Sequence, residues 1–223
     1  MRHLPGFLRN VAPQVDGIVA LDDGSSDGTA DALEAHGSVL EVIRVPPDRP
    51  AWDEPGNHRA LVTAALRHGA DWLMSIDADE RLEHEFRARA ERVIARGRLL
   101  GYTAYACRLR ELWDDPGQYR VDGLWGQKFM ARLFRARADH EFDPSPLHGS
   151  KAPLQSRRRG RIPGADLTVY HLGMLRAEDR EARRRRYEVA DPENRWQSIG
   201  YAYLTDPRGL TLERIPRRRS YID

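Results

Sequence analysis

Two short acidic segments contain the residues of this sequence that are best suited to chemistry. Asp22 and Asp23 follow an apolar run, and Asp77-Ala78-Asp79-Glu80 follows another. At the carboxyl ends of parallel strands, such side chains face the crevice in which nucleotides bind. Carboxylates separated by one residue also suit a hard divalent cation that carries the phosphates of a substrate. The two segments together predict a metal-dependent enzyme that acts on a nucleotide-linked substrate.

The elements that must position these carboxylates alternate between strand and helix. Apolar runs predict strands at residues 16–21, 39–45 and 72–76, and helical patterns with glycine stops predict helices at 27–34, 57–68 and 83–96. This order predicts a doubly wound, mainly parallel sheet with helices on both faces over residues 1–100. A helix at 4–11 comes before the first predicted strand, so we expect the first strand of the usual unit to be missing or to be supplied by another segment.

The later part of the chain has a different pattern. Strands are predicted at 102–110, 127–135 and 167–171, with Asp114 and Asp115 in the loop between the first two. We expect this half of the sheet to be mixed. Helices are predicted at 177–190 and 193–204, followed by a poorly ordered tail from Asp206 that is rich in proline and arginine.

Composition predicts a globular protein in a reducing cytoplasm. The chain has 223 residues, 40% of them apolar and 31% charged, and a net charge of +2. Cys107 is the only cysteine, which excludes an intrachain disulfide. Arginines cluster at 157–161, 183–186 and 217–219. They are either solvated faces or contacts for an anionic partner. The arginine-rich helical segment from Arg180 to Arg186 permits peripheral contact with the inner face of a membrane. No nucleic-acid-binding motif accompanies them, so specific nucleic-acid binding is not expected.

The order of motifs resembles the family 2 glycosyltransferases, which have the GT-A fold. Residues 22–29 read Asp-Asp-Gly-Ser-Ser-Asp-Gly-Thr, and Asp77-Ala78-Asp79 follows after the helix predicted at 57–68. Residues 129–135 resemble the segment before the acceptor-side loop of that family, and Tyr170-His171-Leu172-Gly173 resembles its late histidine motif. The resemblance implies a catalytic domain at 1–176, with a nucleotide-sugar half at 1–100 and an acceptor half at 101–176. Residues 177–223 would form an arginine-rich helical extension.

The resemblance also implies roles for individual residues. Asp22 or Asp23 would bind the base or ribose of a nucleotide sugar, and Asp77 would approach the ribose or the water shell of a metal. Asp79 would bind Mn²⁺ or Mg²⁺, and His171 would complete the coordination. Imidazole beside carboxylate favours Mn²⁺. Positive charge near the phosphates would come from Arg59 and Lys128.

The base that would deprotonate the acceptor is less defined. Gly149 occupies the position where relatives often carry a carboxylate, which leaves Asp143 and His148 nearby and Asp114 or Asp115 in the preceding loop. A retaining reaction would need no such base. Three tryptophans either stack on a sugar or pack in the core: Trp52, Trp113 and Trp125.

Three functions follow from these patterns. The first is an inverting transfer of a sugar from a nucleotide donor to a hydroxyl of a glycan, a lipid-linked sugar or a small metabolite. The second is a truncated or non-catalytic GT-A-like binding domain, in which the acidic segments serve only as turns and helix caps. The third is a nucleotidyltransferase, although the glycine-rich basic loop typical of that class is missing.

Overall fold

The computed structural model describes residues 1–48, 53–145, 149–157 and 161–223. The helices are α1 (Leu4–Val11), α2 (Thr29–Glu34), α3 (Glu54–Arg67), α4 (Phe86–Arg98) and α5 (Ala177–Ala190). The strands are β1 (Ile18–Asp23), β2 (Val39–Val45), β3 (Trp72–Met74), β4 (Glu80–Leu82), β5 (Ala104–Trp113), β6 (Asp115–Arg120), β7 (Phe129–Arg135), β8 (Gly164–His171) and β9 (Leu212–Arg214).

The protein has a mixed α/β fold, but its strand pairing is mostly antiparallel. β1 and β2 form a parallel two-stranded sheet, and the larger sheet runs in the order β3-β7-β5-β6-β9. β8 joins the larger sheet by pairing parallel to β5 and antiparallel to β4. Of the strand pairings within the described ranges, five are antiparallel and two are parallel. The predicted mainly parallel sheet is therefore wrong, because β3 pairs with β7 from the later half of the chain.

The main core lies where α1 and α4 pack beside the strands. The apolar residues Leu4, Phe7, Leu8 and Val11 recur at helical spacing and bury one face of α1. They join a cluster that includes residues of β1, β4 and β8. The Asn10 amide fastens α1 to β4, because its Nδ2 donates to the Leu82 carbonyl at 3.0 Å and its Oδ1 accepts from the Leu82 N–H at 2.7 Å.

Local hydrogen bonds to two aspartates change two of the predicted helices: one begins earlier and the other does not form. The Asp53 carboxylate accepts a hydrogen bond from the Gly56 N–H at 2.8 Å, so α3 begins at Glu54 rather than at the predicted Asn57. The helix predicted at 193–204 is wrong. The Asp191 carboxylate instead accepts the N–H groups of Arg195 and Trp196, which holds this segment in turns ahead of a short 3₁₀ helix.

The segment after Asp206 packs on the domain instead of forming the expected loose tail. β9 pairs with β6, and the Arg219 guanidinium donates to the buried carboxylate of Glu83 at 2.8 and 2.9 Å. The Tyr170 hydroxyl donates to the Arg219 carbonyl at 2.7 Å. Long-range pairing therefore orders a segment whose composition alone predicted disorder.

Among the described residues, every helix is too short or too polar to cross a membrane.

Candidate functional site

Three side chains from separate parts of the chain meet at the end of β8. Asp79 lies in the turn before β4, His171 ends β8, and Glu111 lies on β5 opposite His171. His171 Nε2 is 3.1 Å from Asp79 Oδ2, and His171 Nδ1 is 2.5 Å from Glu111 Oε2. The pairing of β8 with both β4 and β5 positions these groups, since Glu80 and Glu111 are both register partners of His171.

The charges in this cluster stabilise one another. Burial disfavours a charged imidazole, but the carboxylates of Glu111 and Asp79 outweigh it and raise the pKa of His171 to about 10. Burial also opposes ionisation of the two carboxyl groups, yet His171 holds the pKa of Asp79 and of Glu111 well below the usual range. In this state both carboxylates are ionised and the ring between them is protonated.

Lys128 supports the cluster from the side away from Asp79. Its Nζ donates to Glu111 Oε1 at 2.7 Å and lies 4.3 Å from the centre of the Trp125 ring. The structure therefore pairs Lys128 with a buried carboxylate, whereas the sequence predicted a phosphate contact.

The close approach of Asp79 and His171 to the backbone of Gly173 depends on the absence of a side chain at this position. A Cβ atom at this position would lie 2.7 Å from Asp79 Oδ2, 2.7 Å from His171 Nε2 and 3.0 Å from an Arg183 nitrogen. The Arg183 guanidinium itself lies 3.3 Å from His171 Nε2 and 3.8 Å from Asp79 Oδ2. The missing side chain thus allows a carboxylate oxygen, an imidazole nitrogen and a guanidinium group to converge next to Gly173.

The turn that carries Asp77 and Asp79 is fixed by a buried ion pair. Glu80 accepts hydrogen bonds from Arg132 at 2.5 and 2.8 Å, and its Oε2 also accepts the Asp77 N–H at 2.9 Å. The Asp77 side chain forms an ion pair with Lys151. The acidic segment is therefore rigid at its base, with Asp77 facing a lysine from the segment between β7 and β8.

The first acidic segment ends a strand of the two-stranded sheet, whereas Glu111 and His171 lie on the larger sheet. Asp22 is buried and accepts the Ser25 N–H at 3.1 Å, whereas Asp23 is exposed at the same end of β1. β1 belongs to the two-stranded sheet and β3 to the larger one, although apolar residues of both strands share one core cluster. Arg59 is exposed on α3.

The candidate bases lie in different surroundings. Asp143 Oδ1 accepts the Ser145 N–H at 2.9 Å, and this bond lowers the pKa of its carboxyl. Asp115 is exposed at the start of β6 rather than in the predicted loop, and it accepts the Gly117 N–H at 2.6 Å. Asp114 accepts from Arg180 at 2.7 Å. His148 lies outside the residues that the structure describes.

The structure describes two of the three tryptophans that were considered for stacking on a sugar. Trp113 and Trp125 are buried in one cluster with Met174, Tyr201 and Leu204, which favours the core-packing alternative for both. Trp52 lies outside the described residues.

A divalent cation would find two protein donors at this site. Within the described residues, no group of three or more His, Cys, Asp and Glu side chains is arranged to hold a metal ion. Asp79 and His171 nevertheless present an oxygen and a nitrogen 3.1 Å apart, next to Gly173. A carboxylate that holds the far nitrogen of a ligating imidazole, as Glu111 does, is typical of metal sites. The donor set therefore fits a cation that takes its other ligands from phosphates and water.

Sequence reasoning missed Glu111 and Lys151, and it included Arg183 only as part of the arginine cluster at 183–186. One signal for Glu111 was available, because Cys107, Leu109 and Glu111 share one face of a strand with a period of two. A carboxylate on this apolar face needs a buried partner, which is His171.

Comparisons with known proteins give relatives without a stated activity. No family model matches the chain. An uncharacterized protein of Mycobacterium bovis and one of Mycobacterium tuberculosis are each 31% identical to it over 211 residues. The match covers 91% of this chain and 50% of each relative, so the chain spans about half the length of these relatives. Conclusions about activity must therefore be drawn from the geometry of the site.

Proposed function

We propose that this protein is a metal-dependent glycosyltransferase with a GT-A-like arrangement, which moves a sugar from a nucleoside diphosphate sugar to an acceptor hydroxyl. The observation that carries the proposal is the convergence of Asp79 and His171 Nε2 next to Gly173, with Glu111 behind the imidazole. These are the second acidic motif and the late histidine of the family that the sequence resembles.

The chain's own residues would share the work as follows. Asp79 and His171 would hold Mn²⁺ or Mg²⁺ after Nε2 loses the proton that it shares with Asp79, and Glu111 would keep Nδ1 occupied so that Nε2 faces the cation. When bound, the cation supplies positive charge that stabilises the leaving nucleoside diphosphate. Arg183 and Lys151 are the cationic side chains beside Asp79 and Asp77 and would bind phosphate oxygens.

The base is best assigned to Asp143 among the described candidates. Its carboxylate accepts the Ser145 N–H and also interacts with the Ser150 backbone, one residue before Lys151. Asp143 therefore belongs to the loop whose Lys151 reaches Asp77. Asp115 instead lies at the start of β6 near Tyr221, whose hydroxyl donates to the Pro116 carbonyl.

Calorimetric titration with UDP-, GDP- and dTDP-sugars tests the proposal. We expect one nucleotide class to bind with Mn²⁺ present and to lose that binding in EDTA. Asp79→Asn should abolish the metal-dependent part. Asp139→Asn is the matched control, because Asp139 is an exposed carboxylate paired with Arg137 and should leave binding unchanged. Equal binding with and without metal, or full binding by Asp79→Asn, would refute the proposal.

A donor-binding domain without transfer is the second candidate, and Gly149 is the observation that favours it. Metal-dependent binding of a nucleotide sugar without turnover toward any acceptor would support it. Release of pyrophosphate instead of a nucleoside diphosphate would identify a nucleotidyltransferase.

A further inference from the structure

A second site candidate is a cleft between α1 and the start of α5. It has a volume of about 190 Å³. Its walls carry four guanidinium groups and two carboxylates, from Arg2, Arg9, Arg81, Arg176, Asp179 and Asp223. We call it the arginine cleft. It is smaller than a typical pocket for a drug-sized ligand, so it suits a compact charged group.

Arg81 forms the buried wall of the cleft. Its side chain is only 2% exposed. One terminal nitrogen donates to the carbonyls of Ala78 and Glu80 at 3.0 and 2.9 Å, and the other donates to the His3 carbonyl at 3.1 Å. The remaining edge of the guanidinium faces the cleft. A buried guanidinium fixed in this way needs an anion on its open edge, because an unpaired buried charge is costly.

The Asp223 carboxylate occupies that edge. Its Oδ1 accepts from Arg81 Nε at 2.8 Å, and Arg9 donates to the Asp223 main-chain oxygen at 3.2 Å. A Cβ atom at Gly6, in the first turn of α1, would collide with both the Asp223 carboxylate and the Arg81 guanidinium. The glycine therefore leaves a recess at the amino end of α1, where the helix dipole also favours a negative charge.

The Asp223 side chain can leave without undocking the segment before it. Tyr221 packs on Tyr170 with ring centres 5.2 Å apart and donates to the Pro116 carbonyl at 3.0 Å. The His84 N–H donates to the Ser220 carbonyl at 2.6 Å. The Asp223 side chain is 56% exposed, and the hydrogen bonds that it forms with described residues are those to Arg81 and, through its main-chain oxygen, to Arg9. Arg2 already pairs with Asp179 at 2.8 and 3.1 Å, so without the Asp223 side chain the guanidinium groups of Arg9, Arg81 and Arg176 would share no carboxylate of the cleft.

We propose that the arginine cleft binds a phosphate monoester and that the Asp223 carboxylate is the internal anion that such a ligand displaces. Arginine suits phosphate because its planar donors match two oxygens at once. The ester is carried either by a small metabolite or by a lipid headgroup. The proposal does not rest on the glycosyltransferase assignment, since it needs neither Asp79 nor His171.

Calorimetric titrations with inorganic phosphate and with glycerol 3-phosphate, at constant ionic strength, test the site. Asp223→Ala removes the competing carboxylate, so we expect it to bind both probes at least about 10-fold more tightly than the unmodified chain. Asp206→Ala is the matched control, because Asp206 is a carboxylate of the same terminal region that pairs locally with Arg208. It should bind as the unmodified chain does.

A second variant locates the effect. Arg9 is exposed, so Arg9→Gln in the Asp223→Ala background should fold normally and reverse most of the gain. No gain in Asp223→Ala, an equal gain in Asp206→Ala, or a gain that survives Arg9→Gln would each overturn the proposal.

Vesicles distinguish the two sources of the ester. Phosphatidylcholine vesicles with and without phosphatidic acid are sedimented with each variant. Binding that needs phosphatidic acid and increases in Asp223→Ala supports a lipid headgroup. Tight binding of glycerol 3-phosphate without vesicle binding supports a soluble metabolite.

Discussion

Replacing Gly173 with alanine should weaken metal binding while leaving the fold intact. Gly173 lies in a short 3₁₀ helix, and its added Cβ would lie 2.7 Å from both Asp79 Oδ2 and His171 Nε2. Real Cβ atoms essentially never approach other heavy atoms closer than 3.0 Å, so both donors must move by several tenths of an ångström. Metal–ligand distances tolerate about 0.2 Å.

The expected loss in Mn²⁺ affinity is about 10- to 100-fold, the range found when the surroundings of a metal ligand are disturbed. This corresponds to roughly 1.4–2.8 kcal/mol of binding free energy. Electron paramagnetic resonance of free Mn²⁺ during a titration measures it directly. Thermal unfolding without metal checks that the variant is folded.

Gly37→Ala is the matched control, because a Cβ at Gly37 would meet no atom within 4 Å. It should bind Mn²⁺ as the unmodified protein does. If a folded Gly173→Ala protein also kept full affinity, the cation would not be held between Asp79 and His171, and the reasoning would be refuted.

Three further predictions follow from the buried groups. Glu111→Gln removes the carboxylate behind His171 and should lower Mn²⁺ affinity about 10- to 100-fold by titration. Burial raises the pKa of Cys107 to about 12, so a thiol reagent at neutral pH should label it only after unfolding by guanidinium. Arg132→Met leaves the Glu80 carboxylate buried without its partner and should lower the free energy of unfolding by about 3–5 kcal/mol in urea titration.

Each of these has a contrasting outcome. Arg137→Met is the control for the buried pair, because Arg137 pairs with Asp139 at the surface and should change stability by less than about 1 kcal/mol. Equal losses in the two arginine variants would mean that burial does not decide the cost. Rapid labelling of Cys107 in the folded protein would contradict its position in the core. A folded Glu111→Gln protein with full Mn²⁺ affinity would show that Glu111 does not position the imidazole.

Local sequence determined several elements almost residue by residue. The strand predicted at 39–45 is β2, and the helix predicted at 177–190 is α5. The strands before the two acidic segments are also present, although β1 extends through Asp23 and β3 ends at Met74. These features depend on apolar periodicity and turn residues, which are properties of neighbouring positions.

The tertiary structure alone decided which distant residues meet. Strand–helix alternation predicted parallel pairing, but it does not encode the partner of β3, which is the antiparallel β7. Glu111 and His171 are 60 positions apart, and Arg81 and Asp223 are 142 apart. The sequence by itself placed Asp79 and His171 in recognisable motifs. Their contact, the carboxylate behind the imidazole and the arginine cleft depend on the path of the whole chain, because buried charges need partners that local patterns do not specify.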